Sequence, residues 1–120
     1  MSYPDNNPKT QFGLQKTPIH LVPPSAIIAL ANSFKIGADK YGPYNWRENK
    51  VSASVYYAAM MRHMLAWWDG EDKDEETGNS HLDHAMGCIA IIKDGESLDS
   101  LIDDRPFKGA AAALMKTTVE

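Results

Sequence analysis

The chain has 120 residues, is 43% hydrophobic and carries a net charge of −4. That length holds one hydrophobic core and not two, and an acidic chain lacks the basic face expected of a nucleic-acid binder. A single cysteine, Cys88, leaves no disulfide framework within the chain, and no apolar run nears the roughly 20 residues of a membrane span, so a soluble, cytoplasmic protein is expected.

Residues 1–24 hold five prolines and no sustained period, which predicts an extended arm and no signal peptide. Ser25 after Pro23-Pro24 is a suitable N-cap, and Ala26, Ile27, Leu30, Ala31 and Phe34 form a helical stripe that Gly42-Pro43 stops. The first helix is therefore expected over about 25–41. Residues 42–51 form a polar, aromatic connection.

A second helix follows, from about Ser52 or Ser54 to Asp69. It is apolar nearly all round, with Val55, Tyr56, Tyr57, Met60, Met61, Met64, Leu65, Trp67 and Trp68. A helix greasy on every side has to be covered on every side, and so short a chain has few helices to do it. A partner subunit is expected. A third helix spans about 80–94, capped by Asn79 or Ser80 and ended by Gly95. A short helix near 97–103 and an Ala-rich one near 109–116 complete an all-α domain with no strand. The whole of 1–120 reads as one domain: an arm over 1–24, a helical core over 25–95 and short helices over 96–120.

Between Asp69 and Glu76 stand six carboxylates against a single Lys73, and the next helix opens with His81 and His84. Clustered carboxylates suit hard divalent cations, and His adds a ligand that Mn²⁺ tolerates. The second and third helices are joined by a short loop and should lie antiparallel. Pairing them outward from the loop sets Trp67 level with His81 and His63 level with His84. Glu71, Asp72, Asp74 and Glu76, with His81 nearby, then make a candidate divalent-metal site whose chemistry is Lewis-acid activation of water. The competing readings are a solvated acidic loop and core histidines. His81, His84 and Cys88 also share a stripe that would suit Zn²⁺, though Cys88 reads more simply as a core residue. Asp83, beside Gly87 and Ala90, is either a ligand or part of a close helix contact.

Lys40, Arg47 and Arg62 are the cations placed to hold a polyphosphate. Asn45 offers an amide to a base edge and Trp46 a stacking face, against their ordinary roles as turn residue and core aromatic.

With these residues in view the chain resembles a known family. The segments Gly37-Ala38-Asp39-Lys40-Tyr41-Gly42-Pro43-Tyr44-Asn45-Trp46-Arg47, Arg62-His63, Gly70-Glu71-Asp72 with Asp74, Glu76 and Thr77-Gly78, and His81-Leu82-Asp83-His84 resemble the phage-type dATP/dGTP diphosphohydrolases. These are the MazZ-like branch of the all-α MazG nucleoside triphosphate pyrophosphohydrolases. The resemblance covers about residues 20–95. It implies an enzyme dependent on Mg²⁺ or Mn²⁺, with two or more ions, that converts dGTP and dATP to their monophosphates. In phages with 2-aminoadenine genomes such an enzyme supplies dGMP and depletes dATP in the host cytoplasm. It also implies a homodimer or homotetramer. Carried residue by residue, it gives Glu71, Asp74 and His63 catalytic roles and Glu71, Asp72, Asp74, Glu76, His81 and His84 metal contacts. It gives Lys40, Asn45, Trp46, Arg47, Arg62 and Trp67 substrate contacts. The wider superfamily has Glu-x-x-Glu and Glu-x-x-Asp where this chain has Met60-x-x-His63 and His81-x-x-His84 or Ser80-x-x-Asp83. The alternatives are an HD-type phosphohydrolase, which would need an adjacent His-Asp pair where this chain has Asp83-His84, and a non-catalytic phage interaction protein with the acidic loop as docking surface.

Overall fold

The computed structural model describes residues 5–116; the ends of the expected arm and tail, 1–4 and 117–120, lie outside them. The architecture is all-α, with one two-stranded parallel pairing added to it. Helix α1 (Pro8–Gly13) interrupts the expected extended arm. Its cause is local: Asn7 accepts the Lys9 N–H as N-cap, and Pro8 at the first helical position loses no hydrogen bond. A 3₁₀ turn at Ile19–Leu21 follows. The arm leaves Phe12, Leu14, Ile19 and Leu21 exposed, so it does not cover its own domain.

Helix α2 (Pro24–Tyr41) ends where Gly42 takes φ 90°, a conformation that L side chains avoid. Helix α3 (Asn45–Glu48) is a single turn inside the expected connection, and it buries Trp46. Strand β1 (Val51–Ser52) leads directly into helix α4 (Ala53–Trp68). Helix α5 (His81–Ser97) returns along it, and α2 packs on α5. Contact between α2 and α5 is close at Gly87, where a Cβ would stand 2.3 Å from Ser33 Oγ.

Two expectations are corrected beyond α5. The helix runs through Gly95 instead of ending there, and no helix forms over 97–103. Asp99 turns the chain at φ 55°, and strand β2 (Leu101–Ile102) pairs in parallel with β1. Gly95 lies inside the helix, facing the chain that returns beyond it. Its carbonyl accepts the Ser100 N–H at 2.9 Å, and a Cβ there would meet Leu101 Cβ and Ser100 Oγ at an ordinary contact distance of 3.4 Å. The return also caps α4, because Asp104 Oδ1 accepts the Ser54 N–H at 2.8 Å and its other oxygen binds the Ser54 hydroxyl. Helix α6 (Ala111–Met115) closes the described chain.

The interior is thin. Among the described hydrophobic residues only Trp46, Ala53 and Ala85 are buried, while Val55, Leu65, Trp68 and Ile89 stand exposed on α4 and α5. Among the described residues, no helix is long and apolar enough to cross a membrane.

Candidate functional site

The α4–α5 hairpin is built by its loop. Helix α4 ends in a turn in which the Gly70 N–H reaches the Trp67 carbonyl and the Glu71 N–H reaches that of Ala66, each at 3.0 Å. Such a termination puts the residue after the last turn in the left-handed region, and Gly70 has φ 104°. The helix thus does not persist past Gly70, but the turn folds Glu71 back under it. The loop closes when Asp72 O accepts the His81 N–H at 3.0 Å and Asp74 and Asn79 bond at 2.8 Å. Ser80 then caps α5 by accepting the Leu82 N–H.

Three imidazoles meet on this frame. The His63 and His84 rings stack 4.7 Å apart at 15°, and the His63 and His81 centroids lie 5.1 Å apart. Two chains of polar contacts lead from them to carboxylates. In one, Glu71 Oε1 stands 2.6 Å from His81 Nε2, and His81 Nδ1 stands 2.9 Å from His63 Nδ1. In the other, the Thr77 hydroxyl donates to Asp74 Oδ2 at 3.1 Å and lies 2.7 Å from His84 Nε2. His81 is only 4% exposed, whereas His63 and His84 are half-buried.

Electrostatics favour the neutral form of the His63 and His84 rings. Burial lowers the His63 pKa below the ordinary imidazole value, and the neighbouring His84 and His81 push it the same way. Burial also lowers that of His84, with Asp74 opposing and Lys40 reinforcing. Partial burial disfavours the Asp74 carboxylate, but the Thr77 hydroxyl and the Glu76 N–H outweigh it, and its pKa falls below the usual value. Burial raises the Cys88 thiol, which is therefore no thiolate at neutral pH.

A groove of about 820 Å³ opens beside the imidazoles, between α2 and the hairpin. Of the residues the sequence points to, Lys40, Asn45, Trp46, Arg47, His63 and His84 line it, while Arg62, Trp67, Glu71, Asp72, Asp74, Glu76 and His81 do not. Trp46 is a wall residue and not a free stacking face. It is 6% exposed, its N–H donates to Asp94 at 2.8 Å, and Phe34 and Tyr44 pack on its ring. A buried indole N–H has to find an acceptor, and Asp94 supplies it. Arg47 is engaged as well, bidentate to the same carboxylate at 2.9 and 3.0 Å and lying 4.6 Å over the Tyr44 ring. Lys40 faces Glu76 at 3.5 Å across the solvent-exposed rim. The most exposed aromatic residues of the groove are Tyr41 and Tyr44, 69% and 58%, and of these Tyr44 already carries Arg47 over its ring.

The arrangement does not fit the ligand shell expected for Mg²⁺ or Mn²⁺. Glu71 is taken up by His81 and Asp74 by Thr77, while Glu76 stands out on the exposed rim facing Lys40. Among the described residues no three His, Cys, Asp or Glu side chains converge as metal ligands. Sequence reasoning also missed Thr77, Asp94 and the two tyrosines. Thr77 carried a readable signal, three residues after Asp74 in a turn. Asp94 carried none, because its partners lie 47 and 48 positions away.

The family model described as dATP/dGTP diphosphohydrolase, N-terminal, matches residues 6–105. A protein of Salmonella phage PMBT28 named dATP/dGTP diphosphohydrolase is 33% identical over 82 residues, which are 68% of this chain. The matched segment is 28% of that relative's length, so the chain spans under a third of it. No solved structure matches the chain significantly. With the greater part of its length matched by the family's model, the chain belongs to the dATP/dGTP diphosphohydrolase N-terminal family.

Proposed function

We propose that this chain binds the purine deoxynucleoside triphosphates dGTP and dATP in the groove and hydrolyses them to the monophosphates. The observation that carries this reading is one groove, of a volume usual for small-molecule sites, lined by exposed tyrosines, Lys35 and Lys40, and the imidazoles of His63 and His84. The family and the name of the phage relative support it. Tyr41 offers the base its stacking surface, and Asn45 offers its edge a donor and an acceptor. Lys40, whose contact to Glu76 is exposed and weak, can turn toward phosphate oxygens. Arg47, tied to Asp94, braces the wall. The imidazoles lie where a water would stand beside the phosphates, and a neutral ring nitrogen can take that water's proton. As the water oxygen bonds to phosphorus, the bond to the departing phosphate or pyrophosphate breaks, and its electron pair leaves with that group.

Mg²⁺ or Mn²⁺ enters this reading with the substrate, bound to the triphosphate oxygens. The setting is phage nucleotide metabolism, including supply of dGMP for 2-aminoadenine DNA. The working unit in this proposal is a homodimer or homotetramer. The chain exposes 9808 Å², against roughly 6,500 Å² for a compact protein of its mass. Exposed apolar residues on α4 and α5 are the surface a second copy would cover.

Product analysis tests the reading. Purified chain is incubated with dGTP, dATP, dCTP, dTTP or GTP and Mn²⁺, and nucleotides are separated by ion-exchange chromatography. The purine deoxynucleotides should lead by about 10-fold or more, roughly 1.4 kcal/mol in transition-state binding. A pyrimidine as best substrate would overturn the substrate assignment, and no monophosphate from any of them would overturn the reaction.

A further inference from the structure

We infer that Glu71 and His81 are positioning residues that fix the tautomer of His63, leaving the His63 Nε2 lone pair as the base of the groove. The inference deepens the proposed hydrolysis and rests on that reading for its catalytic meaning, but with the rings neutral the tautomers themselves follow from the contact geometry. An ionised carboxylate can only accept hydrogen bonds. At 2.6 Å from Glu71 Oε1, His81 Nε2 must therefore carry the proton it donates. In the neutral state of the chain His81 has one N–H, so its Nδ1 is then a bare acceptor. It stands 2.9 Å from His63 Nδ1, and two lone pairs do not approach that closely. His63 Nδ1 carries the hydrogen, and the only site left for its lone pair is Nε2. Each link sets the next: carboxylate to His81, His81 to His63, His63 to the groove.

Burial divides the roles in the same way. His81 is 4% exposed and lies outside the groove lining, so it touches no substrate; His63 lines the groove. Among the described residues no hydrogen bond is made to His63 Nε2. The second chain of contacts works alike on the stacked neighbour. Because the Thr77 hydroxyl spends its hydrogen on Asp74, it accepts from His84 Nε2–H, and that ring holds its lone pair at Nδ1. When water attacks phosphorus, its proton passes to His63 Nε2. The resulting imidazolium is stabilised through His81 by the Glu71 carboxylate, with no second proton transfer required. Nothing in this scheme uses His81 as a metal ligand, in agreement with the absence of a converging ligand set among the described residues.

The test is long-range ¹H–¹⁵N correlation NMR on the full chain with ¹⁵N-labelled histidine, free of nucleotide, at a pH where the rings are neutral. His63 should show a protonated Nδ1 and a bare Nε2, and His81 the reverse. Glu71→Gln keeps an acceptor oxygen and should preserve both patterns, while Glu71→Leu and His81→Phe should release His63 into a mixture of tautomers. Circular dichroism checks that each variant folds; the wild-type and Glu71→Gln spectra decide the matter even if the others do not. In turnover assays Glu71→Leu should lower kcat by about 10²-fold at nearly unchanged KM, within the range of a general base. An Nε2–H His63 in the wild type, or Mg²⁺ shifting all three imidazoles in the free chain, would overturn the inference. Because the tautomers are read without substrate, failure to hydrolyse dGTP would refute the proposed function and leave this result standing.

Discussion

Removing Asp94 tests how the wall of the groove is held. The carboxylate accepts from two groups of unequal worth. One is the indole N–H of Trp46, a residue only 6% exposed. Left without a partner, a buried donor costs about 1–3 kcal/mol. The other is Arg47, whose side chain is 46% exposed, against 29% for Asp94. Water replaces much of that ion pair, which is worth about 0–1 kcal/mol. Asp94→Ala should therefore destabilise the chain by about 2–3 kcal/mol, most of it from Trp46. Asp94→Asn keeps one acceptor oxygen but turns an N–H₂ toward a donor, and should cost about half as much. Arg47→Ala should cost less than about 1 kcal/mol. Urea unfolding followed by circular dichroism and Trp fluorescence, at one protein concentration, measures all three. With a slope of about 1–3 kcal/mol/M the Asp94→Ala midpoint moves by roughly 0.7–3 M. Equal losses in Arg47→Ala and Asp94→Ala would refute the reasoning, because they would make the ion pair, and not the buried indole, the main contribution.

Gly87→Ala places a methyl 2.3 Å from Ser33 Oγ and 3.2 Å from its Cβ, so it should cost about 1–3 kcal/mol in the same unfolding assay. Ser33→Gly in the same chain should recover most of that loss. The pKa values of His63 and His84 lie below the ordinary imidazole value in the folded chain, so the unfolded chain binds more protons as pH falls through that value. Stability present at neutral pH should then decline below about pH 6.5, and a His63→Gln, His84→Gln double variant should show a shallower decline in its thermal midpoint. Chelation should abolish dGTP turnover and Mn²⁺ restore it, while calorimetry of the nucleotide-free chain with Mg²⁺ should find no tight site; tight binding there would restore the acidic loop as a resident metal centre. Light scattering at micromolar concentration should give a dimer or tetramer, and a monomer would contradict the self-association proposed for α4 and α5.

The long helices were legible because periodicity and punctuation agreed. The stripe from Ala26 to Phe34 and the stop at Gly42-Pro43 gave 25–41, and the helix runs Pro24–Tyr41. The first short helix was legible too, in Asn7-Pro8, but proline content over the whole arm obscured it. Gly95 misled for a physical reason. Glycine marks both helix ends and close backbone approaches, and only the fold shows that here it lies inside the helix, facing Ser100 and Leu101. A pairing of two residues with two, Val51–Ser52 with Leu101–Ile102, is too short to leave a period in either segment. At the site, antiparallel pairing of α4 and α5 sets His63 level with His84, and the rings stack. What the sequence could not show was how the polar atoms are shared. Composition counts carboxylates as ligands, whereas the fold commits Glu71 to His81, Asp74 to Thr77 and Asp94 to Trp46 and Arg47.

The central claim is that the groove bearing His63 hydrolyses purine deoxynucleoside triphosphates. Its most direct measurement is the rate of dGMP formation from dGTP with Mn²⁺, for the wild-type chain beside a folded His63→Gln variant. The account predicts steady dGMP production by the wild type and a loss of about 10²-fold or more in the variant. No dGMP from the wild type, or an equal rate from both, would contradict it.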